Sequence, residues 1–296
     1  MFMNGKIILG MMRISRLSVG EAEKLISCAL DCGIDFLDNA DIYGGGESET
    51  LLGKVFVNNK GLRQKVFLQS KCGICKGFYD FSKEHIIKSV EGSLKRLNAD
   101  SLDALLLHRP DALVDFEELN ETFAQLYKSG KVKSFGVSNM NSYQMELFAK
   151  YVKLPVKYNQ VQLSIVHSYM VAQGLYVNMS SPESVDRAAG TLEYCRLKDI
   201  KVQAWSSLMA SWEDGSFIDN PKYPELNAKL SELAEKYGVS KSAVAIAWIL
   251  RLPQGIMPIV GTTSIEHLKQ LAAAQSVRLT REEWYALFLS AGHKLP

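Results

Sequence analysis

The chain contains 296 residues, of which 47% are hydrophobic and 22% are charged, and its formal net charge is +2. A charge this small creates no field that would attract nucleic acid, so we expect no nucleic-acid partner. No apolar stretch reaches the roughly 18 residues that a membrane span needs, and the N-terminal MFMNGKIILGMMR lacks the apolar run and cleavage site of a signal peptide. We therefore expect a cytoplasmic protein that is not attached to a membrane.

The five cysteines are typical of reduced thiols in a chain of this length rather than of a disulfide framework. Cys72 and Cys75 form a single C-x-x-C motif. Cys28 and Cys32 are spaced for one helical turn, so they do not supply the second pair that a zinc site would require. The sequence therefore predicts no metal site.

Short runs of β-branched or apolar residues recur along the whole chain. Their near-continuous hydrophobicity is typical of parallel strands that are buried on both faces. The predicted strands are KIIL from Lys6, IDFL from Ile34, KVFLQ from Lys65, LDALLL from Leu102, SFGV from Ser134, YNQVQ from Tyr158, KVQAW from Lys201 and MPIV from Met257.

Segments with helical periodicity lie between these strands. Ser18 and Ser82 stand where helix N-caps are expected, and Gly130 stands where a helix would end in a left-handed residue. Two polar, weakly patterned stretches, residues 173–190 and 211–224, are predicted to be loops. The predicted helices cover residues 21–32, 47–56, 83–97, 116–128, 142–151, 192–198 and 226–237.

The alternation repeats with about thirty residues per strand–helix unit, which is the spacing of a (β/α)8 barrel. A doubly wound sheet also fits the alternation, but such a sheet usually carries G-x-G-x-x-G after an early strand, and the match that begins at Gly44 fails at Glu49. The sequence predicts an α/β fold, a single-domain (β/α)8 TIM barrel that covers residues 1–296.

Polar side chains follow the predicted strands at the end where the loops of such a barrel converge. Asp38 and Tyr43 follow the second strand, Lys71 ends the third and His108 follows the fourth. An ammonium group next to a phenol favours the phenolate and lowers the pKa of the phenol, so Lys71 is expected to activate Tyr43. Asp38 would pair with Lys71, and His108 would orient a carbonyl oxygen. These four residues are the predicted catalytic set.

Four segments carry a resemblance to the aldo-keto reductase superfamily: FLDNADIYGGGESETLLG, VFLQSKCG, LDALLLHRPD and KVKSFGVSNM. The resemblance extends over nearly the whole chain. It implies that Asp38 holds the catalytic Lys71, that Tyr43 is the general acid and that His108 is the active-site histidine.

The resemblance also implies a set of residues that bind an extended nicotinamide cofactor. VQAWSSL is similar to the segment whose aromatic residue stacks on the nicotinamide ring, and PIVGTTSIEHL is similar to the segment that binds the pyrophosphate and the adenosine. Many members recruit a lysine and an arginine for the adenosine 2′-phosphate, where this chain has Gly261 and His267. NADPH is the expected cofactor and NADH an alternative. The implied cofactor-binding residues are Ser138, Asn139, Gln160, Trp205, Ser206, Leu208, Gly261, Thr262, Thr263 and His267.

The expected activity is therefore NAD(P)H-dependent reduction of an aldehyde or a ketone to an alcohol, without a metal. The alternative is a regulatory protein that binds the cofactor on the same fold, as the channel β-subunits do. The expected partner of the enzyme is a small carbonyl substrate, and we expect a monomer or a weak homo-oligomer. Ser207 departs from the family pattern, which usually has proline there.

Overall fold

The computed structural model describes residues 7–296. Eight parallel strands close into a barrel, and the last strand pairs with the first. Each predicted strand is present, although Lys6 of the first run lies outside the described residues, so the predicted fold is confirmed. The strands are β1 Ile8–Gly10, β2 Phe36–Asp38, β3 Phe67–Cys72, β4 Ala104–Leu107, β5 Phe135–Ser138, β6 Val156–Gln162, β7 Lys201–Trp205 and β8 Met257–Val260.

The helices surround the barrel, and the seven predicted ones are present with small shifts at their ends. Four more were not among the predicted ranges: α6, α9, α10 and α11. The helices are α1 Val19–Asp31, α2 Glu47–Asn58, α3 Lys83–Leu97, α4 Phe116–Lys128, α5 Ser142–Tyr151, α6 Tyr169–Leu175, α7 Thr191–Leu197, α8 Pro224–Tyr237, α9 Lys241–Leu250, α10 Ile265–Ala272 and α11 Arg281–Ser290.

The predicted helix caps are confirmed. The Ser18 side chain accepts a hydrogen bond from the Glu21 N–H, and the Glu21 carboxylate accepts one from the Ser18 N–H, which completes a capping box. The Ser82 side chain caps α3 by accepting a hydrogen bond from the His85 N–H. Gly130, just beyond α4, has φ +72°, a conformation that glycine adopts without strain.

The interior of the barrel changes from apolar to polar along the strands. Successive residues of a strand point to opposite faces, so Phe67, Gln69 and Lys71 of β3 share the inner face. The lower interior is a small apolar cluster in which the Phe36 and Phe67 ring centroids lie 4.3 Å apart. The upper interior holds the polar side chains. The chemistry is thus confined to the end at which the strands terminate.

The two stretches that were predicted to be loops carry some regular structure. Residues 173–190 contain the end of α6 and a 3-10 turn at Pro182–Ser184. Residues 211–224 contain part of a hairpin that pairs Met209–Ser211 with Gly215–Ser216. This hairpin follows β7 directly and therefore lies at the mouth of the barrel.

No helix in residues 7–296 combines the length and the apolar character needed to cross a membrane.

Candidate active site

Asp38 and Lys71 form a buried ion pair at the upper end of the barrel. The Lys71 Nζ lies 2.8 Å from Asp38 Oδ1, and the side chain of Lys71 is fully buried. Lys71 also donates to the Asn39 carbonyl oxygen at 2.8 Å and to the Tyr43 hydroxyl at 3.0 Å. The predicted association of these three side chains is therefore observed. Because the ammonium has three donors, these partners satisfy it completely.

Tyr43 reaches this pair because three glycines turn the chain directly after it. Gly44, Gly45 and Gly46 have φ values of +59°, +66° and +96°, a region in which residues with a Cβ atom are strained. A Cβ atom at Gly46 would also lie 3.1 Å from the Arg96 side chain. The glycines therefore let the chain reverse above the barrel and enter α2, whose first turn carries Glu47 and Glu49 as expected from the helix dipole.

The direction of the Tyr43 pKa differs from the sequence-based expectation. Burial raises the pKa of the phenol above its ordinary value, and the nearby Lys71 offsets this only in part. Burial alone would lower the pKa of Lys71, but Asp38 and Tyr43 outweigh it and raise that pKa. Both groups therefore hold their protons at neutral pH.

His108 is a neutral imidazole at the wall of the same cavity. Burial, with smaller contributions from Lys71 and Arg109, lowers its pKa to about 2. Its ring faces Tyr43 edge-on with 6.0 Å between the ring centroids, and its Nδ1 is buried without a hydrogen-bond partner among the described residues. A neutral imidazole has one N–H to donate, so His108 can hold a carbonyl oxygen but does not act as an acid at neutral pH.

Three buried glutamines support Asp38 from below, and the sequence prediction named only Gln160 among them. Gln69 and Gln160 each donate from Nε2 to Asp38 Oδ1, at 2.6 and 3.0 Å, and to Gln203 Oε1, at 2.9 and 2.8 Å. Gln203 returns a 2.9 Å bond to Gln69. Gln69 and Gln203 lie two residues before Lys71 and Trp205, so strand alternation was a signal that could have identified them.

A second buried carboxylate, that of Glu49, connects the Tyr43 turn to the surrounding helices. Glu49 accepts a 2.8 Å bond from Arg96 of α3 and a 2.5 Å bond from the Ser70 hydroxyl of β3. Asp41 lies close by, and burial together with the charge of Glu49 raises its pKa to about 6. These residues were not predicted, because each pair is far apart in sequence.

The predicted nicotinamide-binding side chains form one hydrogen-bonded row. Trp205 Nε1 donates to Asn139 Oδ1 at 3.1 Å, Asn139 Nδ2 donates to Ser138 Oγ at 2.7 Å, and Ser138 Oγ donates to the Gln160 carbonyl oxygen at 2.9 Å. The Arg109 guanidinium lies 5.6 Å from the centre of the Trp205 ring. The indole is thus held at the cavity wall from two sides.

The loop after β7 is fixed by the residue that departs from the family pattern. The Ser207 hydroxyl is buried and contacts the carbonyl oxygens of Ala204 at 2.8 Å and Ile259 at 3.3 Å. Its neighbours Ser206 and Leu208, which were predicted to bind the cofactor, both line the cavity. Serine thus fastens this loop to β8 by hydrogen bonds.

At the β8 end of the cavity the predicted residues separate into two groups. Gly261 and His267 line the cavity, whereas Thr262 and Thr263 are not among its lining residues. Thr262 Oγ1 instead accepts a 3.1 Å bond from the Ser264 N–H at the start of α10.

The sequence prediction missed Arg13, which also lines this end of the cavity. Its Nη1 donates to the Gly261 carbonyl oxygen at 3.2 Å, across a separation of 248 residues in the chain. This end of the cavity therefore has a fixed positive charge, although neither Gly261 nor His267 supplies one.

One continuous cavity of about 650 Å³ connects these groups. Asp38, Tyr43 and His108 lie in its wall together with Trp205, and Arg13 and Gly261 belong to the same wall. Lys71 contacts this cavity only through Tyr43 and Asp38. A volume of this size is within the range of pockets that hold cofactors and small molecules.

Comparison with known proteins gives the family. A model described as Aldo/keto reductase family matches residues 6–287. The chain belongs to this family. It is 32% identical to "Oxidoreductase YdhF" of Escherichia coli (strain K12), over 98% of this chain and 95% of that protein. It is 33% identical to "6-dehydroglucose reductase" of Agrobacterium fabrum (strain C58 / ATCC 33970), over 97% of this chain and 94% of that protein.

A solved aldo/keto reductase from Klebsiella pneumoniae, described in complex with NADP and acetate, has the same fold. It aligns with a TM-score of 0.75 and 24% identity, over 95% of this chain and 89% of that one. Family membership makes this protein an NAD(P)H-dependent oxidoreductase, so the enzyme prediction is confirmed. The regulatory alternative finds no support in the names of these relatives.

The cavity wall of this aldo/keto reductase combines an aromatic face, amide groups and a cation. The aromatic ring of Trp205 and the amide of Asn139 offer a flat face and polar contacts, and Arg13 offers a cation for a phosphate. Tyr43 and the neutral His108 share this cavity with them.

Proposed function

We propose that this enzyme reduces an aldehyde or a ketone with Tyr43 as the general acid and NADPH as the cofactor. The contact between Lys71 Nζ and the Tyr43 hydroxyl, 3.0 Å long and backed by Asp38, is the observation that carries the proposal. It supports the proposal because the phenol then has a cation beside it, and that cation and its carboxylate partner are buried. As the proton leaves, the forming phenolate is stabilised by that cation.

Lys71 and Asp38 have separate tasks in this proposal. Burial keeps Tyr43 protonated until a substrate oxygen takes the proton. Lys71 stays charged throughout, since Asp38 and Tyr43 raise its pKa. Asp38 keeps the ammonium in place, and the amides of Gln69 and Gln160 keep Asp38 in place. The proton thus moves from Tyr43 Oη to the substrate, and the ammonium does not lose its own proton.

His108 is proposed to orient the carbonyl oxygen toward Tyr43. Its imidazole is neutral, because its pKa is about 2, so it donates one hydrogen bond without competing for the proton transfer. The two rings meet edge-on with centroids 6.0 Å apart, and both line the same cavity. Tyr43 and His108 together would therefore fix the carbonyl group for attack from the cofactor side.

The cofactor-binding residues are proposed from the predicted set and from Arg13. When bound, NADPH supplies the hydride. Trp205 would lie against the nicotinamide ring, Ser138 and Asn139 would contact its carboxamide, and Arg13 would neutralise a phosphate. Complexes of the Klebsiella pneumoniae relatives with NADP and with NADPH support this choice of cofactor.

Among the other predicted residues, the contacts of three favour indirect roles. Gln160 uses its amide nitrogen for Asp38 and Gln203, so we propose that it supports Asp38 first and the carboxamide second. Thr262 and Thr263 would shape the start of α10 rather than touch the cofactor along the cavity wall. Ser206, Leu208, Gly261 and His267 remain proposed cofactor contacts.

The first substrates to test are sugar-derived aldehydes. Two relatives named 6-dehydroglucose reductase, at 33% and 32% identity, support this choice. Arg109 and Trp212 line the same cavity as Tyr43 and His108 and would contact the remainder of the substrate. A guanidinium beside an indole suits a hydroxylated compound, since it offers several N–H donors and one apolar face.

The test is the substitution Tyr43→Phe, assayed by NADPH oxidation with a panel of aldehydes, ketones and sugars. We expect the variant to bind NADPH as the native enzyme does and to lose about 10²–10⁴ in turnover, the usual contribution of a general acid. Tyr127→Phe removes a hydroxyl from an exposed tyrosine on α4 and should change nothing. Unchanged turnover in Tyr43→Phe would refute the proton-donor assignment.

The assay also separates the cofactor assignment from the acid assignment. Bound NADPH should quench tryptophan fluorescence, and Trp205→Phe should remove most of that quench. A quench that is untouched by Trp205→Phe would exclude the stacking role while leaving the role of Tyr43 standing.

We further propose a cytoplasmic enzyme that is monomeric or weakly associated. The five free cysteines support a reducing compartment, and gel filtration would test the association.

A further inference from the structure

Between β3 and α3 the chain forms a small hairpin that brings three metal-binding residue types together. The Cys75 N–H donates to the Phe78 carbonyl oxygen at 2.9 Å, and the Asp80 N–H donates to that of Gly73 at 3.0 Å. His85 lies in the first turn of α3, where its N–H is held by the Ser82 side chain. Cys75, Asp80 and His85 are therefore positioned by backbone hydrogen bonds that do not depend on their own side chains.

The ligand atoms of these residues surround one point. Cys75 Sγ lies 3.9 Å from His85 Nδ1, and His85 Nδ1 lies 4.0 Å from Asp80 Oδ2. All three atoms lie within 4.8 Å of one another. The side chains of His85 and Asp80 are only 22% and 30% exposed, so the point they surround is partly sheltered. A distance of 4.0 Å is too long for a hydrogen bond between the imidazole and the carboxylate.

Neighbouring groups leave one free ligand atom on each side chain. The Ser82 N–H donates to Asp80 Oδ1 at 2.8 Å, which leaves Oδ2 toward the cluster. The Ser89 hydroxyl contacts His85 Nε2 at 3.3 Å, and Cys75 Sγ lies 3.8 Å from that nitrogen and 3.9 Å from Nδ1, so Nδ1 is the ring nitrogen that the serine leaves available. Metal-binding histidines and carboxylates are usually held by such outer contacts, because these fix the ring tautomer and the orientation of the carboxylate.

We propose that Cys75, Asp80 and His85 bind one divalent transition-metal ion, with Zn²⁺ as the best match. Thiolate and imidazole ligands favour zinc over magnesium or calcium, which prefer oxygen alone. Zinc–sulfur and zinc–nitrogen bonds of about 2.3 and 2.0 Å in a tetrahedron place the ligand atoms roughly 3.5 Å apart. The thiol–imidazole and imidazole–carboxylate separations of 3.9 and 4.0 Å would shorten as the side chains turn toward the ion, by about 0.5 Å each. Three protein ligands leave the fourth position to water.

The site is separate from the carbonyl-reducing centre. None of the three ligands lines the cavity that holds Tyr43 and His108. The hairpin nevertheless begins one residue after Cys72, the end of the strand that carries Lys71. We therefore expect the metal to stabilise this hairpin and the fold, while hydride transfer continues without it. The sequence does not reveal this site, because Cys75 stands in a C-x-x-C spacing with Cys72, whereas Asp80 and His85 belong to no metal-binding motif.

The test uses the full-length protein after treatment with a chelator. Titration with Co²⁺ should give one equivalent of bound metal and a thiolate-to-cobalt charge-transfer band, and Zn²⁺ should displace the cobalt. Cys75→Ser should abolish the band, and His85→Gln and Asp80→Asn should each weaken binding by at least tenfold. Cys32→Ser, which removes another partly exposed thiol, should leave the stoichiometry and the spectrum unchanged.

A further variant keeps the test valid if a ligand substitution harms folding. Ser89→Ala retains all three ligands and removes the contact to His85 Nε2, so we expect about tenfold weaker binding in a fully folded protein. The native enzyme should also show a higher Tm with Zn²⁺ than with chelator, and Cys75→Ser should not. Binding that exceeds one equivalent, lacks the thiolate band or is equal in the native protein and Cys75→Ser would overturn the proposal.

Discussion

The two ends of the barrel each hold an aspartate paired with cations, but the two aspartates have different surroundings. At the upper end, Asp38 pairs with the fully buried Lys71. At the lower end, just before β4, Asp103 pairs with Arg63 at 3.0 Å and with Lys133 at 2.8 Å, and the side chain of Lys133 is 52% exposed. The upper pair lies in the barrel interior, and the lower pair lies at its rim.

The two ion pairs also differ in the additional group that each one contacts. Asp103 Oδ2 also accepts a 2.9 Å bond from the Leu68 N–H, so the lower pair joins the β3 and β4 starts. In the upper pair the ammonium uses one of its donors for Tyr43, which lines the cavity. Identical residue types thus join two strands at one end and contact a cavity-lining phenol at the other, which is the contact on which the proposed proton transfer depends.

The largest expected effect comes from removing the two lysines in turn. Lys71→Met leaves Asp38 buried without a cation, so we expect a loss of about 3–5 kcal/mol in the free energy of unfolding. Hydride transfer should fall at least a hundredfold in the fraction that folds. Lys133→Met leaves Asp103 with Arg63, and we expect a loss of about 0–1 kcal/mol with unchanged turnover. Urea unfolding measures the stability of each variant, and single-turnover kinetics measure its hydride transfer. Equal losses in Lys71→Met and Lys133→Met would contradict the proposed difference between the two ion pairs.

A second pair of aspartates, Asp41 at the upper end of the barrel and Asp103 at the lower end, can be compared by changing each to asparagine. The folded-state pKa of Asp41, about 6, is raised above its ordinary value, so the folded protein binds the proton more tightly than the unfolded chain. Stability from this group is therefore highest below about pH 4 and falls as the pH rises to about 6. Since one pKa unit corresponds to about 1.4 kcal/mol, the ionised group costs up to about 3 kcal/mol.

Asp41→Asn should accordingly raise the free energy of unfolding by up to about 3 kcal/mol at pH 8 and leave it unchanged near pH 4. Asp103→Asn should lower it at pH 8 by about 1–3 kcal/mol, because charge-assisted bonds to Arg63 and Lys133 are lost. Urea unfolding at the two pH values gives both numbers. Opposite signs at pH 8 are the expected outcome, and a loss of stability in Asp41→Asn would show that its ionised form makes favourable contacts.

Arg13 and Arg63 form the next matched pair. Arg13 lines the cavity at Gly261, so Arg13→Gln should raise KM for NADPH about tenfold, which is the effect of losing one charge-assisted hydrogen bond. Turnover at saturating cofactor should stay within twofold of the native value, and the ratio of the KM values should shrink at high salt. Arg63→Gln, at the other end, should leave KM unchanged. A KM that is insensitive to Arg13→Gln would exclude it from phosphate binding.

The fold could be predicted from sequence because buried parallel strands are apolar along their whole length. The helices that were missed show the limit of that signal. In α9, KSAVAIAWIL, eight of ten residues are buried, so it has no polar face and no helical period to detect. The hairpin Met209–Ser211 with Gly215–Ser216 is too short and polar to stand out from a loop.

The residues of the active site were predicted from the sequence, but the direction of the Tyr43 pKa was predicted wrongly. Tyr43, Lys71, Asp38 and His108 follow strands and are readable from the sequence. The net direction of the Tyr43 pKa depends on how deeply the phenol is buried, which only the packed structure gives. Arg13 meets Gly261 across 248 residues when β8 closes on β1, so its role required the closed barrel.

The smallest expected effect concerns the pH dependence of His108. Its imidazole lies in the same cavity wall as Asp38, at the upper end of the barrel. Because burial lowers its pKa to about 2 from an ordinary value of 6.5, His108 loses its proton on folding and stays neutral throughout the working pH range. His108→Gln replaces a neutral donor with another neutral donor. We therefore expect kcat/KM to fall about tenfold and the ratio of native to variant values to stay constant between pH 5 and pH 8. Parallel pH profiles measure this ratio. A ratio that changes with a midpoint near pH 6.5 would mean that the imidazolium is the active form, and His108 would then be the proton donor in place of Tyr43.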